Sequence, residues 1–328
     1  MIRIGIICPS EIAFRRFMPA LVQIKDFKFI GLSFNKNRVK AQKFIDLYGG
    51  KIFGGYDEII SSNEIDAIYI PLPPALHYLW AKKALEHGKH VLLEKPATLS
   101  VSDTQNLVEA ADVKGLALHE NYMFVYHKQM KEISEIIKSG EIGEARLYRI
   151  FFGFPRRPLE DFRYNKELGG GALYDCGGYT LKCARIMLGD SAQVLAATSN
   201  YVDGFEVDLY GTATLQNRNG DTAHISFGMD HDYRCELDVW ASNGSLYTNR
   251  IMTAPVDFVP EVVIKKGADI EVRKLSPDDT FLKSILRFSD CIADANARKE
   301  NYQIILEQGR LVSDFQKHSK IYCGAEEL

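Results

Sequence analysis

The chain has 328 residues, a length that corresponds to about two ordinary domains. Hydrophobic residues make up 46% and charged residues 25%, which excludes disordered, collagen-like and coiled-coil chains. The net charge of −3 argues against a nucleic-acid partner, and no apolar run reaches the roughly 18–20 residues of a membrane span.

The six cysteines lie far apart without a CxxC pair, and the chain starts with an apolar strand pattern rather than a secretory signal. This usage predicts a cytoplasmic protein with free thiols. The histidines do not follow a ligand spacing, so we expect no metal site.

Strands and helices alternate over the first 120 residues. We predict strands at 2–7, 27–33, 67–70, 90–93 and 115–119, and helices at 12–24, 39–48, 75–86 and 100–113. This alternation predicts a parallel sheet with helices on both faces, hence an α/β Rossmann dinucleotide-binding domain over residues 1–122.

The pattern changes after residue 122 to runs that alternate polar and apolar residues. We predict helices at 129–138 and 172–188, strands at 194–201, 209–216, 221–227, 235–241 and 261–266, and helix again at 280–318. Asn219-Gly220 and Asn243-Gly244 lie between such runs and predict tight hairpins. Residues 123–328 should therefore form an α+β domain for substrate binding and assembly, with a large, mostly antiparallel sheet. We expect its last helices to pack back toward the N-terminal domain.

The turn after the first strand is where dinucleotide-binding proteins carry GxGxxG. Here Cys8 and Ser10 replace the first two loop glycines, and Ala13 occupies the third position. Small residues still allow a pyrophosphate to approach a helix N-terminus, and Ser10 can donate a hydroxyl, so Cys8, Ser10, Glu11 and Ile12 are candidate cofactor contacts. A strand–turn–helix without a ligand is the alternative.

The end of the second strand bears on the choice of cofactor. An acid is expected there for NAD, but the segment has Ser33, Lys36 and Arg38 and no carboxylate. Cations favour a 2′-phosphate, so we expect NADP(H) rather than NAD(H). The alternative is that Lys36 and Arg38 only begin a solvated helix.

Two further segments indicate chemistry. Glu94-Lys95-Pro96 follows the fourth predicted strand, at the edge of the sheet that faces the ligand in open α/β folds. The block from Gly169 to Tyr179 opens a helix and places Asp175 and Tyr179 four residues apart, on one face. Gly177 and Gly178 each cost roughly 1 kcal/mol within a helix, which indicates the close approach of a ligand or tight helix packing.

Together these segments resemble the Gfo/Idh/MocA family, named for glucose–fructose oxidoreductase and inositol dehydrogenase. The resemblance covers nearly the whole chain. The segments that carry it are residues 5–20, Pro71-Leu72-Pro73 with His77, Glu94-Lys95-Pro96, Glu120 and the block at 169–179.

The resemblance implies a nicotinamide cofactor and a sugar or polyol bound between the two domains. Lys95 matches the family's catalytic lysine, and Asp175 matches its substrate-site aspartate. The resemblance also implies a homo-oligomer, a dimer or tetramer, formed through the C-terminal sheet. The implied cofactor contacts are Pro71, Leu72, His77, Glu94, Lys95 and Glu120.

Tyr179 stands where many members of the family have histidine. This variant, the segment at 12–20 and Phe162-Arg163-Tyr164 are most similar to nucleotide-sugar 3-ketoreductases. We therefore hypothesise hydride transfer between NADP(H) and a keto or hydroxyl group on a nucleotide-linked sugar. Tyr179 would donate the proton, and Lys95 would polarise the carbonyl and favour the phenolate.

Asp175 would hold a substrate hydroxyl or orient Lys95, and Arg163 would contact a substrate phosphate. One alternative is a dihydrodiol or free aldose dehydrogenase of the same family. Members that oxidise inositol or hydrolyse glycosides typically keep the histidine that Tyr179 replaces. An alternative of another class is a non-catalytic NADP-binding sensor or scaffold, which the missing loop glycines favour and the intact Lys95, Asp175 and Tyr179 oppose.

Overall fold

The structure is a computed structural model that describes residues 1–34 and 38–323 and the strand at 326–327. The predicted cofactor contact Lys36 therefore lies outside the described residues. The chain divides into two compact units. The first comprises Met1–Tyr122 and Phe281–Gly309, and the second comprises Met123–Thr280 and Arg310–Leu328.

A parallel sheet forms the centre of the first unit, as the sequence predicts. Its strands run in the order β3-β2-β1-β4-β5-β6, and every described pairing is parallel. The strands are β1 (Ile2–Ile7), β2 (Phe27–Ser33), β3 (Lys51–Phe53), β4 (Ala67–Ile70), β5 (His90–Leu93) and β6 (Leu118–Glu120). The sequence missed β3 because three residues are too short for a periodic signal.

Helices connect these strands, and apolar strand residues such as Ile6 and Ile68 are fully buried among them. The first connection is a π-helical turn (Ala13–Phe17) that continues into α1 (Met18–Leu21). The others are α2 (Arg38–Tyr48), α3 (Tyr56–Ser61), α4 (His77–Glu86) and α5 (Val101–Val113). The Ser100 hydroxyl accepts the Asp103 N–H at 3.1 Å and so begins α5 where a capping residue is expected.

The second unit contains a large mixed sheet. Its order is β14-β13-β12-β11-β7-β10-β9-β8-β15-β16, and all described pairings are antiparallel except β7 with β10 and β8 with β15. Both predicted hairpins form, between β9 and β10 and between β11 and β12. The strands are β7 (Ala145–Gly153), β8 (Gln193–Tyr201), β9 (Asp208–Gln216), β10 (Thr222–Gly228), β11 (Arg234–Ala241), β12 (Ser245–Asn249), β13 (Glu261–Lys266), β14 (Asp269–Lys274), β15 (Ser319–Cys323) and β16 (Glu326–Glu327).

The two faces of this sheet differ. On β11, Leu237 and Val239 are fully buried, whereas Trp240 on the opposite face is 61% exposed. The buried face packs against α7 (Gly178–Leu188), which follows a π-helical turn (Leu173–Gly177), and α6 (Lys128–Lys138) lies earlier in the unit. The alternating sequence could not decide which face is covered, because both periodic phases contain apolar residues.

The predicted C-terminal helix is two helices, α8 (Thr280–Ala293) and α9 (Ala295–His318). They separate at Asp294, whose carboxylate accepts the Ala297 N–H at 2.7 Å and caps α9. None of the described helices is long and apolar enough to cross a membrane.

Candidate functional site

The predicted cofactor turn follows β1 and leads into a helix. Ser10 caps that helix, because its Oγ accepts the Ala13 N–H at 3.1 Å. Glu11 and Ile12 are exposed in the first turn. The turn therefore presents a helix N-terminus at the carboxyl end of the sheet, a geometry that suits the binding of a pyrophosphate.

Cys8 has an unusual backbone conformation in this turn. Its φ is +79°, in the left-handed region that glycine favours, at the position where the motif would carry its first loop glycine. Its N–H donates to the Ser33 carbonyl at 3.0 Å, so the ends of β1 and β2 are joined there. Burial raises the pKa of the Cys8 thiol, and a hydrogen bond with Tyr56 partly opposes that rise.

Ser33, at the end of β2, is fully buried, and its Oγ has no hydrogen-bond partner among the residues that the structure describes. An unsatisfied buried hydroxyl is costly in a folded protein, so this atom fits a polar group of a ligand. Arg38 is exposed in the first turn of α2. These residues fit the ribose end of a dinucleotide.

The Lys95 turn is built on partly buried Glu94. One oxygen of its carboxylate, Oε1, accepts hydrogen bonds from Tyr69 Oη at 2.6 Å and from Asn121 Nδ2 at 2.7 Å. Burial raises the pKa of Glu94, although these hydrogen bonds and the Lys95 ammonium oppose the rise. Sequence reasoning missed Tyr69 and Asn121, because nothing in their local pattern indicates this contact.

Two other predicted cofactor contacts hold the same turn. The Glu120 carboxylate accepts the Ala97 N–H at 2.7 Å. His77 is fully buried, with its two ring nitrogens 2.7 Å from the carbonyl oxygens of Pro96 and Leu72. Burial lowers the pKa of His77 to about 4, while hydrogen bonds to the two carbonyls act in the opposite direction. Pro71 and Leu72 are buried at the carboxyl end of β4.

The glycine-rich block lies in the second unit, where Asp208 fixes its start. The buried Asp208 carboxylate accepts the Leu173 N–H at 2.8 Å. Burial raises its pKa to about 6, and backbone hydrogen bonds from Leu173 and Ala172 oppose that rise. Gly171 has a φ of +119°, and a Cβ there would lie 2.4 Å from Asp208 Oδ1, so glycine allows this cap to form.

Tight packing accounts for Gly177. A Cβ at this position would lie 3.0 Å from atoms of the buried Phe227 ring on β10. Of the two explanations that the sequence left open, close helix packing is the one observed at this glycine. The turn that contains it, Leu173–Gly177, is π-helical, a distortion often found at functional sites.

Asp175 is paired with Arg163. Arg163 Nε donates to Asp175 Oδ2 at 2.7 Å, and its Nη1 donates to Asp161 at 3.1 Å. Burial lowers the pKa of Arg163, but the two carboxylates outweigh it and the net shift is upward. The two predicted substrate contacts thus hold each other, and Asp161 is a partner that the sequence did not indicate.

Tyr179 lies in an apolar setting. Its side chain is 7% exposed, its ring packs against Phe124 and Phe152, and its hydroxyl lies 3.7 Å from the Met123 sulfur. Lys95 belongs to the first unit, whereas Asp175 and Tyr179 belong to the second.

Comparison with known proteins places this geometry in a family. Residues 2–122 match the model of an oxidoreductase family with an NAD-binding Rossmann fold, and residues 130–247 match the GFO/IDH/MocA C-terminal domain. A dTDP-3,4-didehydro-2,6-dideoxy-alpha-D-glucose 3-reductase from Saccharopolyspora spinosa is 36% identical over 88% of this chain and 86% of its own length. The enzyme of the same name from Actinomadura kijaniata is 34% identical over 95% and 93%.

The fold agrees with this match. The crystal structure of a 3-ketoreductase from Actinomadura kijaniata, in complex with NADP and TDP-benzene, has a TM-score of 0.95 at 33% identity and covers 98% of this chain and 99% of that chain. An aldose–aldose oxidoreductase from Caulobacter crescentus shares the fold, with a TM-score of 0.86 at 22% identity and 97% coverage of both chains. The chain therefore belongs to the Gfo/Idh/MocA family of NAD(P)-dependent oxidoreductases.

Proposed function

We propose that the protein reduces the 3-keto group of a dTDP-linked deoxy sugar with NADPH. The observation that carries this proposal is the similarity of nearly the whole chain to reductases of that name. Tyr179 supports it, because tyrosine replaces the histidine that is common in the family.

NADP(H) is the proposed cofactor, in preference to NAD(H). The described residues at the end of β2 include the buried Ser33 hydroxyl and the exposed Arg38 but no carboxylate. A 2′-phosphate can accept hydrogen bonds from both groups, whereas a carboxylate would repel it. We place the pyrophosphate at the helix that Ser10 caps. When bound, the nicotinamide supplies the hydride.

The protein's own groups supply the proton and the electrostatic stabilisation. We assign Tyr179 as the proton donor to the forming alkoxide and Lys95 as the cation that polarises the carbonyl. A ketone that gains one hydride and one proton becomes the secondary alcohol. The proposal requires Lys95 and Tyr179 to act on one carbonyl, with the Asp175–Arg163 pair orienting a neighbouring group of the sugar.

A lysine and a tyrosine have been replaced in a relative. Among the solved forms of the Actinomadura 3-ketoreductase are a tyrosine-to-phenylalanine variant and a lysine-to-alanine variant. The positions of those replacements are separated by the same number of residues as Lys95 and Tyr179. This spacing supports the assignment of both roles.

The test is NADPH oxidation with a dTDP-linked 3-keto sugar, with the product identified by mass spectrometry. Lys95→Ala and Tyr179→Phe should each lower kcat by about 10²-fold or more, the usual size of an acid–base contribution. Tyr174→Phe is the matched control, because that hydroxyl lies in the same helical segment and binds Gln316 at 2.8 Å. Activity of both site variants within a few-fold of wild type would refute the assignment.

A second candidate is the oxidation of a free aldose. It is supported by 26% identity, over 88% of both chains, to an NADP(+)-dependent D-xylose 1-dehydrogenase from Haloferax volcanii. D-xylose with NADP⁺ in the same assay distinguishes the two, since only the second candidate predicts turnover. NADPH binding without turnover of either substrate would favour a sensor.

We also propose a homo-oligomer, a dimer or tetramer, formed through the open face of the large sheet. This face carries Trp240, Ile270 and Val272, which are 61%, 64% and 58% exposed. Light scattering should give a multiple of the 37.1 kDa chain mass, and Trp240→Glu should shift the protein toward the monomer. A cytoplasmic location is proposed on the five free cysteines among the described residues.

A further inference from the structure

A buried chain of hydrogen bonds within the first unit runs from Glu94 to residues that the reaction does not use. Asn121 donates to Glu94 Oε1 at 2.7 Å and accepts the Ser284 hydroxyl at 2.7 Å. Ser284 Oγ in turn lies 2.9 Å from His119 Nε2. His119 and Ser284 are fully buried, and Asn121 is nearly so.

The direction of each hydrogen bond follows from the first. A carboxylate only accepts, so the Asn121 amide nitrogen must face Glu94, and the Asn121 oxygen then faces Ser284. Ser284 gives its one proton to that oxygen, so it must accept from a proton on His119 Nε2. All the hydrogen bonds in this network therefore run in one direction, from His119 through Ser284 and Asn121 to Glu94. Each residue orients the next one.

The other end of the chain is also anchored. Asn301 Nδ2 donates to the Leu118 carbonyl at 2.6 Å, and this bond turns the Asn301 oxygen toward His119 Nδ1, 3.3 Å away. An amide oxygen only accepts, so a ring whose single proton lies on Nε2 makes no hydrogen bond with it. The His119 ring is held instead by its hydrogen bond to Ser284 and by its complete burial.

The Glu94 end of the chain acts on the turn that carries Lys95. Glu94 directly precedes Lys95, so the two residues share one turn of the backbone, and the Lys95 ammonium opposes the rise in the pKa of the Glu94 carboxyl. A shift of Glu94 therefore moves Lys95. Ser284 is connected to Glu94 by two hydrogen bonds, through Asn121. We propose that Ser284 and His119 are positioning residues for Lys95, and that they act through Asn121 and Glu94. This inference rests on the proposed function, because it assumes that Lys95 polarises the carbonyl.

The kinetic test removes the Ser284 hydroxyl, which lies in the middle of the hydrogen-bond network. Ser284→Ala should lower kcat about tenfold, as expected for one lost buried hydrogen bond, and leave the KM for NADPH within about twofold. Ser284→Cys keeps a weak donor at the same place on the side chain and should restore part of the rate. In a Lys95→Ala background, Ser284→Ala should cost less than about twofold, since the residue through which it acts is gone.

Tyr302→Phe is the matched control. It removes another buried hydroxyl of the same unit, one that donates to the Leu116 carbonyl. Its kcat should stay near that of wild type. An equal loss of kcat in Tyr302→Phe, or a Ser284→Ala loss that is undiminished without Lys95, would overturn the proposal.

A second readout does not depend on turnover. After reductive ¹³C-methylation, the Lys95 resonance is identified by its loss in Lys95→Ala. It should shift in Ser284→Ala and His119→Asn but not in Tyr302→Phe. An unmoved Lys95 signal in both network variants refutes the positioning role, even if the wild type reduces no keto sugar. If the Lys95 signal moves in the two network variants but the wild type reduces no keto sugar, only the proposed substrate is refuted.

Discussion

The guanidinium of Arg163 lies between two carboxylates, and its Nε donates to Asp175 Oδ2 at 2.7 Å. From the sequence we expected Arg163 to contact a substrate phosphate, and Asp175 to hold a substrate hydroxyl or to orient Lys95. In the structure the two side chains bind each other, and Asp161 is a second carboxylate that shares the same guanidinium.

This pairing predicts a specific loss of stability. Arg163→Leu leaves the Asp175 carboxylate, whose side chain is 13% exposed, without its cation. We expect the free energy of unfolding to fall by about 2–3 kcal/mol, less than for a fully buried pair, and Asp175→Asn to recover part of the loss. Urea unfolding measures both. Arg156→Leu, which breaks a more exposed pair with Asp230, serves as the control and should change little. An Arg163→Leu variant as stable as wild type contradicts the prediction.

Asp208 predicts a pH dependence. Burial raises its pKa to about 6 in the fold, above the ordinary value of 3.8. The stability that comes from its neutral form is thus complete below pH about 4 and is lost as the pH rises through about 6. Asp208→Asn stays neutral and keeps an acceptor for Leu173, so its advantage over wild type should grow across that window.

Urea unfolding at several pH values measures this difference. The exposed Asp203 supplies the control, since Asp203→Asn should track wild type throughout. A constant difference between Asp208→Asn and wild type would show that Asp208 is not neutralised in this range.

The close packing of Gly177 against Phe227 predicts that a larger residue at position 177 lowers stability. A smaller residue at position 227 should relieve that effect. Gly177→Ala places a Cβ against the Phe227 ring, which should cost about 1–3 kcal/mol and outweigh the roughly 1 kcal/mol gained in helix propensity. In a Phe227→Leu background the same change should become neutral or favourable. Gly309→Ala is the matched case in α9, where the nearest atom would lie 3.4 Å away and the variant should gain stability. Thermal unfolding of wild type and the four variants gives the signs, and a stabilising Gly177→Ala in the wild-type background would refute the packing argument.

The backbone conformation of Cys8 predicts that glycine is more stabilising than alanine at this position, the reverse of the order within a helix. Because its backbone is left-handed, Cys8→Gly should be more stable than Cys8→Ala by about 1 kcal/mol. At the helical Cys291 the order should be the opposite, with alanine more stable than glycine. Chemical denaturation of the four variants checks both orders, and alanine being preferred at both positions would argue against strain at Cys8.

How much the sequence predicted depended on how local each signal is. Buried parallel strands such as β4 are continuous apolar runs and were found, whereas β7 was missed because its alternation has meaning only beside its partners. The residues that we propose to position Lys95 show the same limit. Glu94 was found beside Lys95, but Ser284 reaches the same network from more than 160 residues away, a relationship that no spacing rule contains.

The division of the chain has a consequence for its synthesis. The first unit needs Phe281–Gly309, and the second needs Arg310–Leu328, including the β15 strand that pairs with β8. Neither unit is therefore a continuous stretch of sequence. During translation the parallel sheet emerges first but must wait for α8 and α9 before its core and the hydrogen bond from Asn301 to the Leu118 carbonyl are complete. A stop before residue 281 would damage both units at once, so neither can be obtained by simply cutting the chain between them.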